Sequence, residues 1–138
     1  MALILDTGPI LALLDAGDPA HTRCVAMVRA AREDLVIPVC VLVEVDYWVH
    51  KLLGASTWQV LTEDIDRGAY RLANLTVGDL TRAAELDASY PDLDLGLVDA
   101  SVIALSERIH ETKVATLDRR DFSVVRPRHC DALRLLPD

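Results

Sequence analysis

Cysteine is scarce in this chain. Cys24, Cys40 and Cys130 are the only three in 138 residues, odd in number and widely spaced. No Cys-x-x-Cys pair occurs, so neither a thiolate zinc site nor a disulfide framework has support, and idle or buried thiols in a reducing compartment are expected. Long apolar runs are also missing. Nothing approaches the ~20 residues of a spanning helix. The N-terminus carries no basic leader, and its first apolar stretch, Ala2 to Leu5, stops at Asp6. A soluble, cytoplasmic protein is the expectation. Repeats, low-complexity tracts and Gly/Ser linkers are absent, which leaves one domain over residues 1–138. Cations are in short supply too. Fourteen Lys and Arg face 22 Asp and Glu, for a formal charge of −8. That balance argues against a general nucleic-acid binder and suits a basic protein partner or bound cations.

What is present is apolar and patterned. Hydrophobic residues make up 51% and charged residues 26%, the composition of a folded globule with a real core. A positive mean hydropathy of +0.23 in so acidic a chain points to apolar surface that an assembly covers. Short β-like runs alternate with helical ones. Leu3–Leu5 reads as a strand, and Pro9 as the first residue of a helix reaching Leu14. Residues 21–32 form a second helix, 36–38 a strand, 39–53 an apolar helix ending at Gly54, and 56–66 another helix. Residues 69–75 alternate as a strand. Thr76, with Asp79 three residues on, caps a helix to Ser89. Residues 97–109 form the most apolar helix. Residues 113–117 are a strand, 118–122 a tight turn and 132–136 a last strand. This alternation predicts an α/β fold with a twisted, mostly parallel sheet and helices on both faces.

Four acids stand out against that background. Leu3-Ile4-Leu5-Asp6 and Val114-Ala115-Thr116-Leu117-Asp118 are strands that end in a carboxylate. In an open parallel sheet, ligands bind beyond the carboxyl ends of the strands, so Asp6 and Asp118 meet if their strands are neighbours. Asp99 is the lone acid of Leu97 to Leu105. Burying it is costly unless something compensates, and both the helix N-terminus and a divalent cation would do so. Glu44 and Asp46 share another apolar helix but lie roughly 200° apart on it, so only one faces a common centre. Periodicity leaves open which one. Converging carboxylates repel each other or take up protons unless a hard cation sits among them, and Mg²⁺ or Mn²⁺ is the natural choice. Such a site hydrolyses phosphodiesters without a His, Ser or Lys nucleophile.

The segments Leu-Asp-Thr-Gly, Val-Glu-Val-Asp-Tyr-Trp, Leu-Val-Asp-Ala-Ser-Val-Ile-Ala and Ala-Thr-Leu-Asp-Arg-Arg-Asp-Phe, in this order, resemble the PIN domain. More narrowly they resemble the VapC toxins of bacterial toxin–antitoxin pairs, over nearly the whole chain. The resemblance implies a PIN fold with four or five strands and a Mg²⁺- or Mn²⁺-dependent endoribonuclease. It implies the acidic quartet Asp6, Glu44, Asp99 and Asp118, and so selects Glu44 over Asp46. Thr7 and Thr116 match hydroxyl positions beside the acids, and Asp121 takes a supporting place as a turn-shaping residue. It further implies a homodimer and a VapB-type antitoxin with a basic inhibitory segment. RNA, tRNA or ribosomal, is then the substrate. Arg119, Arg120, Arg126 and Arg128 are the candidate phosphate contacts near the last motif. Trp48 and Trp58, at helical core spacing, suit packing or a dimer contact better than base stacking. The four histidines show no ligand spacing. The competing readings are a DNA-directed nuclease of the same fold, an aspartyl phosphotransferase and a non-catalytic interaction module. The first would favour a more basic surface, the second lacks an Asp two residues after Asp6, and the third does not need the acids.

Overall fold

A computed structural model describes residues 1–138. Five strands form one parallel sheet: β1 (Ala2–Leu5), β2 (Asp34–Pro38), β3 (Arg71–Ala73), β4 (Lys113–Ala115) and β5 (Arg134–Leu136), in the order β3-β2-β1-β4-β5. Seven helices connect them: α1 (Thr7–Leu14), α2 (His21–Ala30), α3 (Val39–Leu52), α4 (Ala55–Asp66), α5 (Val77–Ser89), α6 (Gly96–Arg108) and α7 (Arg119–Val124). The first two crossovers move outward from β1 to β2 to β3, and the next jumps back across the sheet to β4. Right-handed connections then place α1 to α4 on one face and α5 to α7 on the other. The reversal falls between β1 and β4, which pair through Ile4↔Val114 and Leu5↔Ala115. That is the topological switch point, where the diverging chains open a crevice.

Core chemistry follows the pattern of the chain. β1 is central and covered on both faces, so all four of its residues are apolar and buried. α6 is sandwiched as well, with Ala100 to Ser106 all buried, which is why its apolar residues run around the whole helix. Phe122, the one phenylalanine in the chain, is buried in the core from α7. α5 has one exposed side and needs local support. Thr76 Oγ1 accepts from the Asp79 amide at 3.0 Å, and Asp79 accepts from the Thr76 amide at 3.1 Å. This is the expected capping box.

Several boundaries differ from the sequence expectation. Residues 118–122 are not a plain turn: Asp118 is the N-cap of a short helix, because Phe122 and Val125 must reach the core. Pro9 is the third residue of α1 rather than the first, and still occupies a position whose N–H has no helical partner. β3, β4 and β5 are three residues each, shorter than expected, since only those residues find ladder partners. α2 stops at Ala30, two residues early. No helix is long and apolar enough to cross a membrane.

Candidate active site

Asp6 leaves β1 and becomes the N-cap of α1. Its amide donates to the Ala115 carbonyl at 2.9 Å, so the β1–β4 ladder fixes where the carboxylate emerges. Thr116 follows β4 directly. Its hydroxyl donates to Asp6 Oδ2 at 2.9 Å and accepts from the Asp118 amide at 3.0 Å. One buried hydroxyl thereby ties both strand-end acids together. Gly8 allows the start of α1 to abut the same turn; a Cβ there would lie 3.3 Å from Leu117. On the opposite wall, Gly96 opens α6 at φ +66°, a left-handed conformation that glycine takes without strain. Asp99 then falls in the first turn of α6.

These elements enclose a cleft of about 740 Å³ lined by Asp6, Glu44, Asp99 and Asp118, with Thr7, Gly8 and residues 95–98 between them. No Lys or Arg lines it. All four acids of the expected quartet are therefore in one place. Glu44 lies in the cleft, whereas Asp46 turns away to pair with His50 at 2.9 Å. The tightest group differs from the quartet: one carboxylate oxygen each from Asp99, Asp118 and Asp121 lie within 4.8 Å of one another. Asp121 sits in the first turn of α7 and is buried, so it stands closer to the centre than a turn-shaping role requires. The sequence offered a signal in its three-residue spacing from Asp118, which only a helix converts into a shared face.

Burial first, and then mutual repulsion, disfavours the ionised form of two of these acids. Asp99 is pushed up to about 7, chiefly by burial and then by the charges of Asp6, Asp118, Asp121 and Glu44. Burial also raises Asp6, against hydrogen bonds from the Thr7 amide and Thr116 and with a further push from Glu44 and Asp118. With no cation in the walls, the cleft is a negative well.

The arginines separate into different roles. Arg119 donates to the carbonyls of Leu135 and Pro137 and so clamps the end of β5. Arg128 pairs with Glu85 at 2.9 Å. Arg126 meets only backbone carbonyls, at Ser123 and Val125. Arg120 is 79% exposed and reaches Asp121 at 3.4 Å. Trp58 packs against the core, while Trp48 is partly exposed beside Tyr47 on α3.

Known proteins share both pattern and shape. The PIN domain profile matches residues 3–126. Ribonuclease VapC26 of Mycobacterium tuberculosis is 32% identical over 125 residues, 91% of this chain and 93% of that protein. Among solved structures, VapC20 of M. tuberculosis, a sarcin–ricin loop cleaving toxin, superposes with a TM-score of 0.74 at 19% identity, covering 81% of this chain and 86% of that one. The DNA-bound VapBC complex of Salmonella typhimurium gives 0.70 at 16% identity, covering 99% and 97%. With the family model matching residues 3–126 and a VapC relative 32% identical across 91% of the chain, this chain belongs to the PIN-domain family and, within it, to the VapC proteins.

Proposed function

We propose that this protein is the ribonuclease toxin of a toxin–antitoxin pair, a Mg²⁺- or Mn²⁺-dependent endoribonuclease acting on structured RNA such as tRNA or ribosomal RNA in the cytoplasm. One observation carries the reading: four carboxylates line the switch-point cleft with no Lys or Arg in its wall, and Asp121 stands within 4.8 Å of two of them, its one cationic partner being the exposed Arg120 at 3.4 Å. The donor set fits a hard divalent cation. All donors are oxygens, and three of them already lie within 4.8 Å of each other. Asp99, Asp118 and Asp121 would hold the ion, with Asp6 and Glu44 beside it. When bound, the cation supplies charge to offset the phosphodiester and lowers the pKa of adjacent water. The chain's own part is positional. Thr116 fixes Asp6 relative to Asp118, and Asp99, protonatable near neutrality, is the group best placed to carry a proton when the ion is absent.

Substrate contacts follow from charge. Arg120, exposed and no nearer than 3.4 Å to Asp121, and Arg126, whose side chain meets only backbone carbonyls, are the cations best able to meet RNA phosphates, whereas Arg119 clamps the end of β5 and Arg128 is paired with Glu85. The negative cleft suits a basic segment of a VapB-type antitoxin, which would silence the enzyme by occupying the cation's place. Exposed Val43, Tyr47 and Leu52 on α3 and Leu80 and Leu97 on α5 and α6 are apolar area that a homodimer would cover. The test is end-mapping of total RNA after brief exposure to purified protein. Discrete cuts that need Mg²⁺ or Mn²⁺, disappear in EDTA and are lost in Asp99→Asn support the reading. Absence of metal binding, with cleavage unchanged in Asp6→Asn and Asp99→Asn, removes it.

A further inference from the structure

A sheet edge carries backbone donors and acceptors that no neighbouring strand satisfies, and an open edge is a template for another chain. The two edges of this sheet, β5 and β3, are treated differently. In β5 the Arg134 amide donates to the Thr112 carbonyl, and the Leu136 carbonyl accepts from the Thr116 amide. Those two residues face β4, so Leu135 between them faces outward. That edge is closed. Leu135 is only 9% exposed, its carbonyl accepts from Arg119 Nη2 at 3.3 Å, and Leu136 is followed by Pro137, which has no N–H to offer. β3 has no such cover. The Asp34 amide donates to the Met1 carbonyl, so even-numbered residues of β2 serve β1 and odd-numbered ones serve β3. Pro38, without an N–H, could not serve β3 in any case. With Ile37 opposite Leu72, Ile37 bonds to Arg71 and Ala73, and the N–H and C=O of Leu72 point away from the sheet. Leu72 is 42% exposed, and outside the β2 ladder no backbone–backbone hydrogen bond involves residues 70–75. Arg108 meets the edge farther along, at the Asn74 carbonyl, 3.1 Å away. Leu75, Val77 and Leu80, which follow the strand, are exposed as well.

We propose that β3 is the contact through which two copies of this chain associate, the two strands running antiparallel about a two-fold axis at Leu72. A second copy fits because the edge is complementary to itself. Both outward groups belong to one residue, so Leu72 and Leu72 of the second copy exchange two N–H···O bonds as a hydrogen-bonded antiparallel pair, and the two five-stranded sheets become continuous. The exposed apolar residues that follow the strand supply area for the same contact to bury. Charge favours a copy over a basic segment. Two chains of −8 repel in general, but the cations flanking β3 are already paired, Arg71 with Asp34 at 3.5 Å and Arg108 with Asp79 at 3.0 Å. The negative charge that a basic segment would seek lies instead in the cleft. This contact does not depend on the nuclease reading. RNA cleavage by a monomer would remove only the contact, and a dimer that cuts no RNA would remove only the nuclease.

Sedimentation velocity of the purified chain over a concentration series reads the association, and hydrogen exchange at the Leu72 amide reads the surface used. A dimer is expected, with that amide protected in it. Leu72→Pro removes the outward N–H and leaves the β2 ladder intact; it should raise the dimer dissociation constant roughly tenfold or more, as two hydrogen bonds are lost. Leu72→Lys keeps the N–H but sets two like charges across the axis, and should weaken the dimer as well. Circular dichroism checks that each variant folds; if Leu72→Pro does not, Leu72→Lys and the wild-type exchange decide. A monomer at every concentration overturns the proposal. So does a dimer in which the Leu72 amide exchanges freely, or one whose dissociation constant neither variant moves, and either result would transfer the contact to another face, such as the exposed residues of α3.

Discussion

Replacing Asp99 by Asn should stabilise the metal-free protein, and the gain should grow with pH. In the folded state Asp99 titrates near 7, against 3.8 for a free aspartate, with burial as the first cause and four neighbouring carboxylates after it. Below pH 3.8 the residue is protonated folded and unfolded, and contributes no difference. Between 3.8 and 7 the unfolded chain has released the proton while the folded chain retains it, so stability falls as pH rises. Above 7 the penalty is complete and flat. At about 1.4 kcal/mol per pH unit the full shift corresponds to ~4 kcal/mol. Asp99 is only partly buried, and solvent screening reduces this to about 1–3 kcal/mol. In a domain of this length each kcal/mol moves the melting temperature by roughly 3–5 °C. Circular dichroism melts in EDTA should thus show Asp99→Asn level with wild type near pH 4 and about 5–10 °C above it at pH 8. Saturating Mg²⁺ should reverse the order at pH 8, since binding to the folded state alone stabilises wild type. Equal melting temperatures for the two proteins at pH 8 in EDTA would refute the argument that burial and the neighbouring carboxylates disfavour an ionised Asp99.

Two further outcomes follow from other parts of the site. Thr116→Val should cost about 1–3 kcal/mol in urea unfolding, because the Asp118 amide loses its acceptor and Asp6 loses a donor; Mg²⁺ affinity by calorimetry should fall with it, and an unchanged affinity would mean the hydroxyl does not position the acids. Arg126→Ala should raise KM for RNA with kcat nearly constant and lower the slope of log affinity against log salt by about 0.7 to 0.9, whereas a salt slope identical to wild type would place Arg126 outside the RNA path.

Much of this was readable along the chain. The Thr76–Asp79 capping box lies within four residues and depends on nothing distant, so its geometry followed from spacing alone. Asp6 was legible because it ends an apolar run that had to be a buried strand, whereas Asp118, expected at the end of a strand over 113–117, lies three residues beyond β4 as the N-cap of α7. Asp121 was harder. Residues 118–122 carry turn-type polar residues, and only the pull of Phe122 and Val125 into the core winds them into α7 and brings Asp121 inward. The arginines were least legible, since charge and position cannot tell a cation free to meet phosphate from one clamping β5, as Arg119 does.

By itself, then, the amino-acid order determined which segments would be strands or helices and which acids stood in apolar surroundings, because those depend on periodicity and local desolvation over a few residues. Tertiary structure decided the rest. It chose Glu44 over Asp46 for the cleft and gathered Asp121 with Asp99 and Asp118. Those choices rest on the reversal of strand order between β1 and β4, a packing of segments over a hundred residues apart that no local pattern encodes.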